Sequence, residues 1–391
     1  MSRKTPRISR RPAPAKPKRA PKPADAKRTP NLAGFRTEID RIDKELVTLL
    51  NRRAEFAAKI GQLKDQQGLD IWSPAREEEV LAKATAASQG PLPVDTLRLI
   101  FRELMSGSRS LQRALRVACL GPKYSYSYLA SVAKFGNAIE HVPVGSIEAV
   151  FEEVNRRHVQ FGIVPLENST DGRIADTLDM FTRLPNLKIR AEVRLRIHHC
   201  LLGKIPQGEV QRVYSKAQAL SQCRHWLGKN LPQAKLIEVV STSHAAELAK
   251  DERNGAAIAS HPAAIAYGLN VLAENIEDQP HNVTRFAVIA EQSEARTGKD
   301  KTTILIRLPN RAGALAKVLA IFEKSGLNLT MIESFPHADG PLERDPGYLF
   351  FLDVDGHAND AVVKQAIDAV RKKSERVEIL GSYPRGDCIE G

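Results

Sequence analysis

Residues 46–64 read LVTLLNRRAEFAAKIGQLK. On a helix, Leu46, Leu49, Leu50, Phe56, Ile60 and Leu63 form one apolar stripe, and Arg53 falls inside it, four residues after Leu49 and three before Phe56. A guanidinium among core positions needs a counter-charge, because burying an unpaired ion is very costly. The stripe belongs to a helix running from near Leu32 to Lys64, about 45 Å long at ~1.5 Å per residue, longer than a globule of about 85 residues is wide. The pattern therefore predicts packing against a partner chain.

The same irregularity recurs around it. Lys64 lies eleven residues after Arg53 and returns to nearly the same face, about 16 Å further along the axis. SPAREEEVLAKATAAS starts a second helix with Ser73 as N-cap and Pro74 at the first helical position; there Arg76 and Glu77 adjoin the inward Val80 and Leu81. VDTLRLIFRELMSGSRSLQRAL reads as a third, with Ser108 and Gln112 four apart on or beside the stripe of Leu97, Ile100, Leu104 and Leu111. The inward cations outnumber the carboxylates available to neutralise them, so a ligand is expected to bring negative charge. Arg36 stands about 25 Å from Arg53 along the same helix. Both reach one small ligand only from different protomers. The block by itself implies an interlocked helical dimer that binds a polyanionic organic acid.

Charge elsewhere is concentrated. The net charge is +12 over 391 residues, but residues 1–30 hold eleven Lys or Arg against Asp25 alone, so the remainder is nearly neutral. With seven prolines and almost no large apolar residue, this tail is expected to be disordered. It binds no specific nucleic acid on this reading, because the folded part has no basic stripe interleaved with aromatics. No apolar run approaches the roughly 20 residues that span a bilayer, and no signal peptide is evident. A cytoplasmic location is expected. Cys119, Cys200, Cys223 and Cys388 have no paired spacing and read as reduced, mostly buried thiols, with no metal site.

From Arg116 to about Ala290 short β-rich runs alternate with helices: RVACLG, FGIVPLE, RVYSKAQALSQCRHWLG, AKLIEVVST, GAAIAS and TRFAVIAE. This predicts α/β layers whose length suits two lobes around a cleft. Residues 291–301 read as a polar linker. The last block runs βαββαβ, a ferredoxin-like sandwich of about 85 residues with Asn310 as cap of its first helix. The fold expected is multidomain: an all-α domain over 31–115, a two-lobed periplasmic-binding-protein-like α/β domain over 116–291, and an α+β ferredoxin-like domain over 301–385.

FRTEIDRIDKELVTLLNRRAEFAAKIGQLK, WSPAREEEVL and IFRELMSGSRSLQ resemble the all-helical chorismate mutase domain. The resemblance maps Arg36, Arg53, Lys64, Arg76, Glu77, Ser108 and Gln112 onto its substrate pocket, with Arg36 supplied by the second protomer. Arg53 then faces a carboxylate of chorismate, and Lys64 and Gln112 are the catalytic candidates for charge on the breaking ether oxygen. Ser73 stands where the family carries an aspartate.

The segments VACLGPKYSYSYLAS, FGIVPLENSTDGRIADTLDMF, VYSKAQALSQCRHWL, STSHAAELA and NIEDQPHNVTRFAVIA resemble prephenate dehydratase, in order and along the whole middle block. This resemblance makes Thr284 the acid that assists departure of the ring hydroxyl. Ser125, Asn168, Ser215 and Gln222 bind prephenate, with Glu167 and Arg285 supporting them. Tyr124 replaces a glycine, Tyr128 a histidine, and Lys216-Ala217 a His-Pro pair. His198 and His199 read as satisfied strand histidines.

The last block resembles an ACT regulatory domain. Gly313, Ala314 and Leu315, with Glu333 and Ser334, map onto its phenylalanine site at a dimer interface; Phe335 replaces an arginine and Ala312 a proline. The resemblance as a whole implies a bifunctional, allosteric enzyme of phenylalanine biosynthesis. It converts chorismate through prephenate to phenylpyruvate without a cofactor, as a homodimer or larger assembly inhibited by phenylalanine. Two alternatives stay open: a dehydratase whose helical domain only dimerises, and a non-catalytic small-acid sensor with a nucleic-acid-binding tail.

Overall fold

The computed structural model describes residues 32–170, 172–336 and 348–390. The basic tail expected over 1–30 lies outside the described residues. The chain divides into two compact units, one ending at Arg53 and the other beginning at Ala54. The first holds the N-terminal part of helix α1 (Leu32–Gln66), where Leu46, Leu49 and Leu50 are exposed. The second begins with the rest of α1, where Phe56, Ile60 and Leu63 are exposed as well.

Next come α2 (Pro74–Ala87) and α3 (Val94–Ser110). Ser73 caps α2 as expected, its hydroxyl accepting the Arg76 N–H at 3.3 Å, with Pro74 at the first position. The third helix stops short of its apolar pattern. It ends at Ser110, and Gln112 lies in a turn whose N–H donates to Arg109 O at 2.9 Å.

The middle block forms two sheets. The first collects β1 (Arg116–Leu120), α4 (Tyr126–Phe135), β2 (Glu140–Val144), α5 (Ile147–Asn155), β3 (Phe161–Asn168), the short β4 (Gly172–Arg173), α6 (Ala175–Arg183) and β5 (Lys188–Arg196). The chain then crosses to β6 (Cys200–Gly203), β7 (Arg212–Ser215), α7 (Ala217–Gln222), α8 (Arg224–Asn230), β8 (Lys235–Glu238), α9 (Thr242–Asp251), β9 (Gly255–Ala259), α10 (His261–Tyr267) and β10 (Asn270–Ala273), and returns through β11 (Val283–Ala290). The strand orders are β5-β11-β3-β1-β2 and β10-β6-β9-β7-β8. Two crossings between two sheets create the two lobes. Their cores differ in grain: Ala257 and Ala259 of β9 pack against Ala245, Ala246 and Ala249 of α9, small residues that let helix and strand approach closely. His198 and His199 sit in the first crossing, between β5 and β6, and not within a strand.

The last block is β12 (Asp300–Leu308), α11 (Ala314–Lys324), β13 (Leu329–Pro336), β14 (Tyr348–Asp355), α12 (Ala361–Arg371) and β15 (Arg376–Pro384), an antiparallel sheet of order β13-β14-β12-β15. The βαββαβ reading holds. The cap does not: α11 starts at Ala314, behind Gly313 in the left-handed region at φ 77°, and Asn310 precedes that turn. Strand alternation gives this sheet two buried faces. Ile304 and Ile306 meet Val318, Phe322, Val363 and Ile367 of its own helices, while Leu305, Leu349, Phe351, Leu380 and Tyr383 join the core of the first lobe. At Gly381 any Cβ would lie 2.0 Å from Ile189 O of β5, so glycine is required for the two sheets to close. After residue 385 a further strand, β16 (Cys388–Glu390), pairs in parallel with β5. Three residues carry too little pattern to announce it.

Candidate active sites

On the helical side, Arg36 is exposed in the first unit, and Arg53, half-buried, has its pKa lowered by burial. In the second unit Lys64 donates from Nζ to Asp70 O at 2.9 Å and to Ile71 O at 3.0 Å. Burial lowers its pKa; Asp70 and Glu294 act against that and Arg190 acts with it.

One turn earlier on α1, Gly61 lies directly under Gln112: a Cβ there would be 2.5 Å from Gln112 Cγ. Lys64 and Gln112 are thus brought to one helix face, since residues three apart are neighbours. Among the described residues Gln112 Oε1 is buried with no hydrogen-bond partner, an uncompensated polar atom. Sequence reasoning missed Gly61, because a glycine in a helical pattern reports nothing until the packed neighbour is known.

Glu77 pairs with Arg109, a buried residue of α3 absent from the expected set. Burial brings the Arg109 pKa down to about 10. Ser108 is buried and donates to Leu104 O at 2.7 Å. Arg76 is exposed and pairs with Glu79, one turn along α2. Ser73 is already committed: its hydroxyl donates to Glu294 Oε1 at 2.7 Å.

Between the two lobes lies a cleft of about 750 Å³ lined by Ser125, Asn168, Lys216, Gln222 and Thr284, among others. Thr284 Oγ1 accepts from Asn168 Nδ2 at 2.8 Å, which leaves the hydroxyl proton for another acceptor. Asn168 Nδ2 also donates to Asn282 Oδ1 at 3.1 Å, and Asn282 Nδ2 to Gln222 Oε1 at 2.9 Å. Gln222 Oε1 is 2.9 Å from His199 Nε2, and His199 Nδ1 is 3.0 Å from the Tyr126 hydroxyl. This polar chain ties β3, β11, α7 and the crossing segment together. Asn282 and Tyr126 were not singled out in the sequence, and His199 lines the cleft rather than a strand interior.

Ser125 caps α4, accepting from Tyr128 N at 3.3 Å and donating to Leu120 O at 2.9 Å. Ser215, fully buried, donates to Ile258 O at 2.7 Å, and among the described residues it is not part of the cleft lining. Tyr124 adopts φ 67°, a conformation that glycine reaches without strain and that side chains with a Cβ rarely take. Its ring lies 5.7 Å from that of Tyr128 and 6.1 Å from that of Tyr267 in the second lobe.

The two adjacent histidines are driven apart by their surroundings. Burial lowers the pKa of His199. Burial also works to lower that of His198, but hydrogen bonds to Glu277 and Glu390 outweigh it and the net direction is upward.

Alternation along β11 sends Thr284 into the cleft and Arg285 to the opposite face. There Arg285 donates from Nε to Glu192 at 2.7 Å and from Nη2 to Tyr383 Oη at 2.9 Å, and Nη2 lies 2.6 Å from Asp353 Oδ2. Burial opposes its charge, but Tyr383, Asp353 and Glu192 raise its pKa. Glu167 lies 3.7 Å from the same guanidinium. Lys301 is 3.4 Å from Glu192, so two cations face two carboxylates in one buried cluster between the lobe and the sandwich. In the sandwich Gly313 is the N-cap of α11, Ala314 and Leu315 are its first two residues, and Glu333 and Ser334 lie on the edge strand β13. Phe335 stacks on Phe351 with centroids 5.3 Å apart.

A helical block carrying the partly buried cations Arg53 and Lys64, a two-lobed cleft of amides and hydroxyls, and a small α+β sandwich define a multidomain small-acid enzyme with a sensing module. Residues 35–113 match the chorismate mutase type II family, 117–294 the prephenate dehydratase family and 302–372 the ACT domain. A bifunctional chorismate mutase/prephenate dehydratase of Aquifex aeolicus is 40% identical over 359 residues, covering 90% of this chain and 98% of that one. The prephenate dehydratase of Arthrobacter aurescens, solved in complex with L-Phe, is 33% identical with a TM-score of 0.64, covering 70% of this chain and 91% of that one. A chain described as a novel type of quorum quenching acylase is 28% identical with a TM-score of 0.62, covering 69% of this chain and 98% of that one. The chain belongs to the bifunctional chorismate mutase/prephenate dehydratase family.

Proposed function

We propose that this chain carries out two consecutive reactions, chorismate to prephenate and prephenate to phenylpyruvate. The divisions proposed are 31–115 for the mutase, 116–291 for the dehydratase and 301–385 for the regulatory domain. The observation that carries the second reaction is the Thr284 hydroxyl, which lines the inter-lobe cleft and receives a hydrogen bond from Asn168 at 2.8 Å. In that step the ring carboxylate leaves as carbon dioxide, its bonding electrons enter the ring, and the ring hydroxyl departs as water. Thr284 assists by donating a proton or strong hydrogen bond to the leaving oxygen. Aromatisation supplies the driving force, so modest acid assistance suffices. Asn168 and Gln222 orient the substrate, and Lys216 adds a cation at the rim for a dianion.

The first reaction needs no nucleophile. The ether C–O bond breaks as the new C–C bond forms, and the protein holds the compact conformer while Lys64 and Gln112 stabilise charge on the ether oxygen. Arg53, Arg76, Glu77 and Ser108 bind the rest of chorismate, with Arg36 coming from a second copy. The exposed apolar residues of α1, Phe56 and Ile60 among them, support that second copy as the missing neighbour. Phenylalanine as effector at Gly313–Leu315 and Glu333–Ser334 is supported by the L-Phe complex of the relative. A cytoplasmic location is in keeping with this chemistry, and among the described residues no helix is long and apolar enough to cross a membrane.

The test is to supply the purified protein with chorismate alone and follow prephenate and phenylpyruvate. Appearance of phenylpyruvate is the expected result. Persistence of chorismate with turnover of added prephenate would leave only the dehydratase, and no turnover of either would overturn the reading.

A further inference from the structure

The loop after α1 is held by residues that the mutase block does not contain. Arg190, on β5 of the dehydratase lobe, donates from Nη2 to Trp72 O at 3.0 Å, pairs through Nη1 with the Asp70 carboxylate, and donates from Nε to Glu294 Oε2 at 3.0 Å. Glu294, in the segment expected to be a plain polar linker, accepts the Ser73 hydroxyl on its other oxygen at 2.7 Å. Its own carbonyl lies 3.3 Å from His357 Nε2 of the ACT domain. Both charged side chains are buried, at 5% and 7% exposure, so their geometry is dictated by each other and by this loop. Trp72, 1% exposed, seals the arrangement against Phe135 and Phe161, with ring centroids 4.6 and 4.9 Å away.

The held loop is the one that holds Lys64. Asp70 O and Ile71 O take two of the three N–H donors of the ammonium, which leaves one for a ligand. Of the four residues 70–73, Asp70 and Trp72 are tied to Arg190, Ser73 to Glu294, and Ile71 gives its carbonyl to Lys64.

We infer that Arg190 and Glu294 are positioning residues for the mutase reaction: acting from the dehydratase domain and the segment after it, they fix loop 67–73 and through it the ammonium of Lys64. The inference rests on Lys64 serving the mutase site. It also assigns Ser73 a role in place of contact with a substrate hydroxyl, as the pin that joins the start of α2 to Glu294. A shift of about 1 Å in a group that contacts the reacting atoms costs on the order of 100-fold. The mutase is therefore sensitive to residues that never touch chorismate.

The experiment uses the full chain and reads both activities in each variant. Lys64→Gln tests the underlying reading by itself: unchanged mutase turnover in that variant would remove Lys64 from the site. With that loss in hand, Arg190→Met and Glu294→Gln are expected to lower mutase kcat/KM at least about tenfold. Dehydratase kcat/KM on added prephenate should stay within about twofold, because Arg190 pairs near Val288 and Ile289, several residues from Thr284 on β11.

A pH profile separates positioning from general damage. The charged groups about Lys64 are Asp70, Arg190 and Glu294, with Asp65, Arg113, Arg157 and Glu291 also lining the neighbouring cavity. Removing the Glu294 charge moves the alkaline limb of mutase kcat/KM to lower pH, and removing the Arg190 charge moves it to higher pH. Opposite shifts support the clamp. Mutase kcat/KM within twofold of wild type in both variants, or equal loss of both activities with no opposite shifts, overturns it.

Discussion

Arg285 Nη2 and Asp353 Oδ2 meet at 2.6 Å inside the protein, one on the strand that carries Thr284 and the other on the central ACT strand β14. Asp353 is fully buried and also accepts from Thr303 at 2.6 Å. The candidate acid of the dehydratase is therefore one residue from an ion pair anchored in the regulatory domain. Asp353→Asn leaves Arg285 short of one charge in a buried cluster, a change that costs about 3–5 kcal/mol. A marked drop in the thermal midpoint is expected, with weakened coupling between added phenylalanine and dehydratase rate. A midpoint within a degree of wild type and unaltered inhibition would contradict the assignment.

Thr284→Val keeps the shape of the side chain and removes the hydroxyl. General-acid assistance is typically worth about 10²–10⁴-fold, so prephenate turnover should fall by that order. Mutase turnover on chorismate should be unchanged. Thr284→Ser restores the donor and is expected to recover part of the rate. Equal activity of the Val and Ser variants would exclude the hydroxyl from the chemistry.

Gly61→Ala places a methyl 2.5 Å from Gln112 Cγ, a distance real contacts do not show, so Gln112 must move. Mutase kcat/KM should drop about tenfold or more, the cost of misplacing a group at the reacting bond. The dehydratase in the same sample serves as the internal control.

Tyr124 yields a comparison between two substitutions. Both Tyr124→Gly and Tyr124→Ala delete the ring contacts with Tyr128 and Tyr267, but only alanine must still adopt φ 67° with a Cβ. The glycine variant should be the more stable of the two by about 1 kcal/mol. Thermal melts of the pair decide it, and the reverse order would contradict the strain argument.

His199 couples stability to pH. Its folded pKa is lowered by burial, so the unfolded chain binds more protons as pH falls through about 6.5, and stability is lost in that direction. His198, with a raised folded pKa, works the other way: its contribution is complete below the unfolded value and is lost as pH rises through the folded one. His199→Gln should therefore flatten the acid side of a midpoint-versus-pH curve, and His198→Gln the neutral side. Identical curves for both variants would show that neither environment matters.

Much was legible in the residues alone. Helical period and caps read out α1 and α2, the βαββαβ order read out the sandwich, and ordered motifs marked Lys64, Asn168, Gln222 and Thr284 as candidates for the two sites. These are properties of local spacing, which side-chain periodicity and capping chemistry impose on any chain that folds. What tertiary structure alone decided concerns groups distant in sequence. Gly61 matters because Gln112, fifty-one positions later, lies on it. Glu294 looked like linker polarity until Arg190 and Ser73 closed around its two oxygens. Arg285 turned away from the cleft because strand alternation gave that side to Thr284, and Gly381 let β15 press against β5 to bring Asp353 and Tyr383 within reach. Buried polar groups take whatever partners the packed fold supplies, and no spacing rule connects residues that meet only when separate domains close on each other.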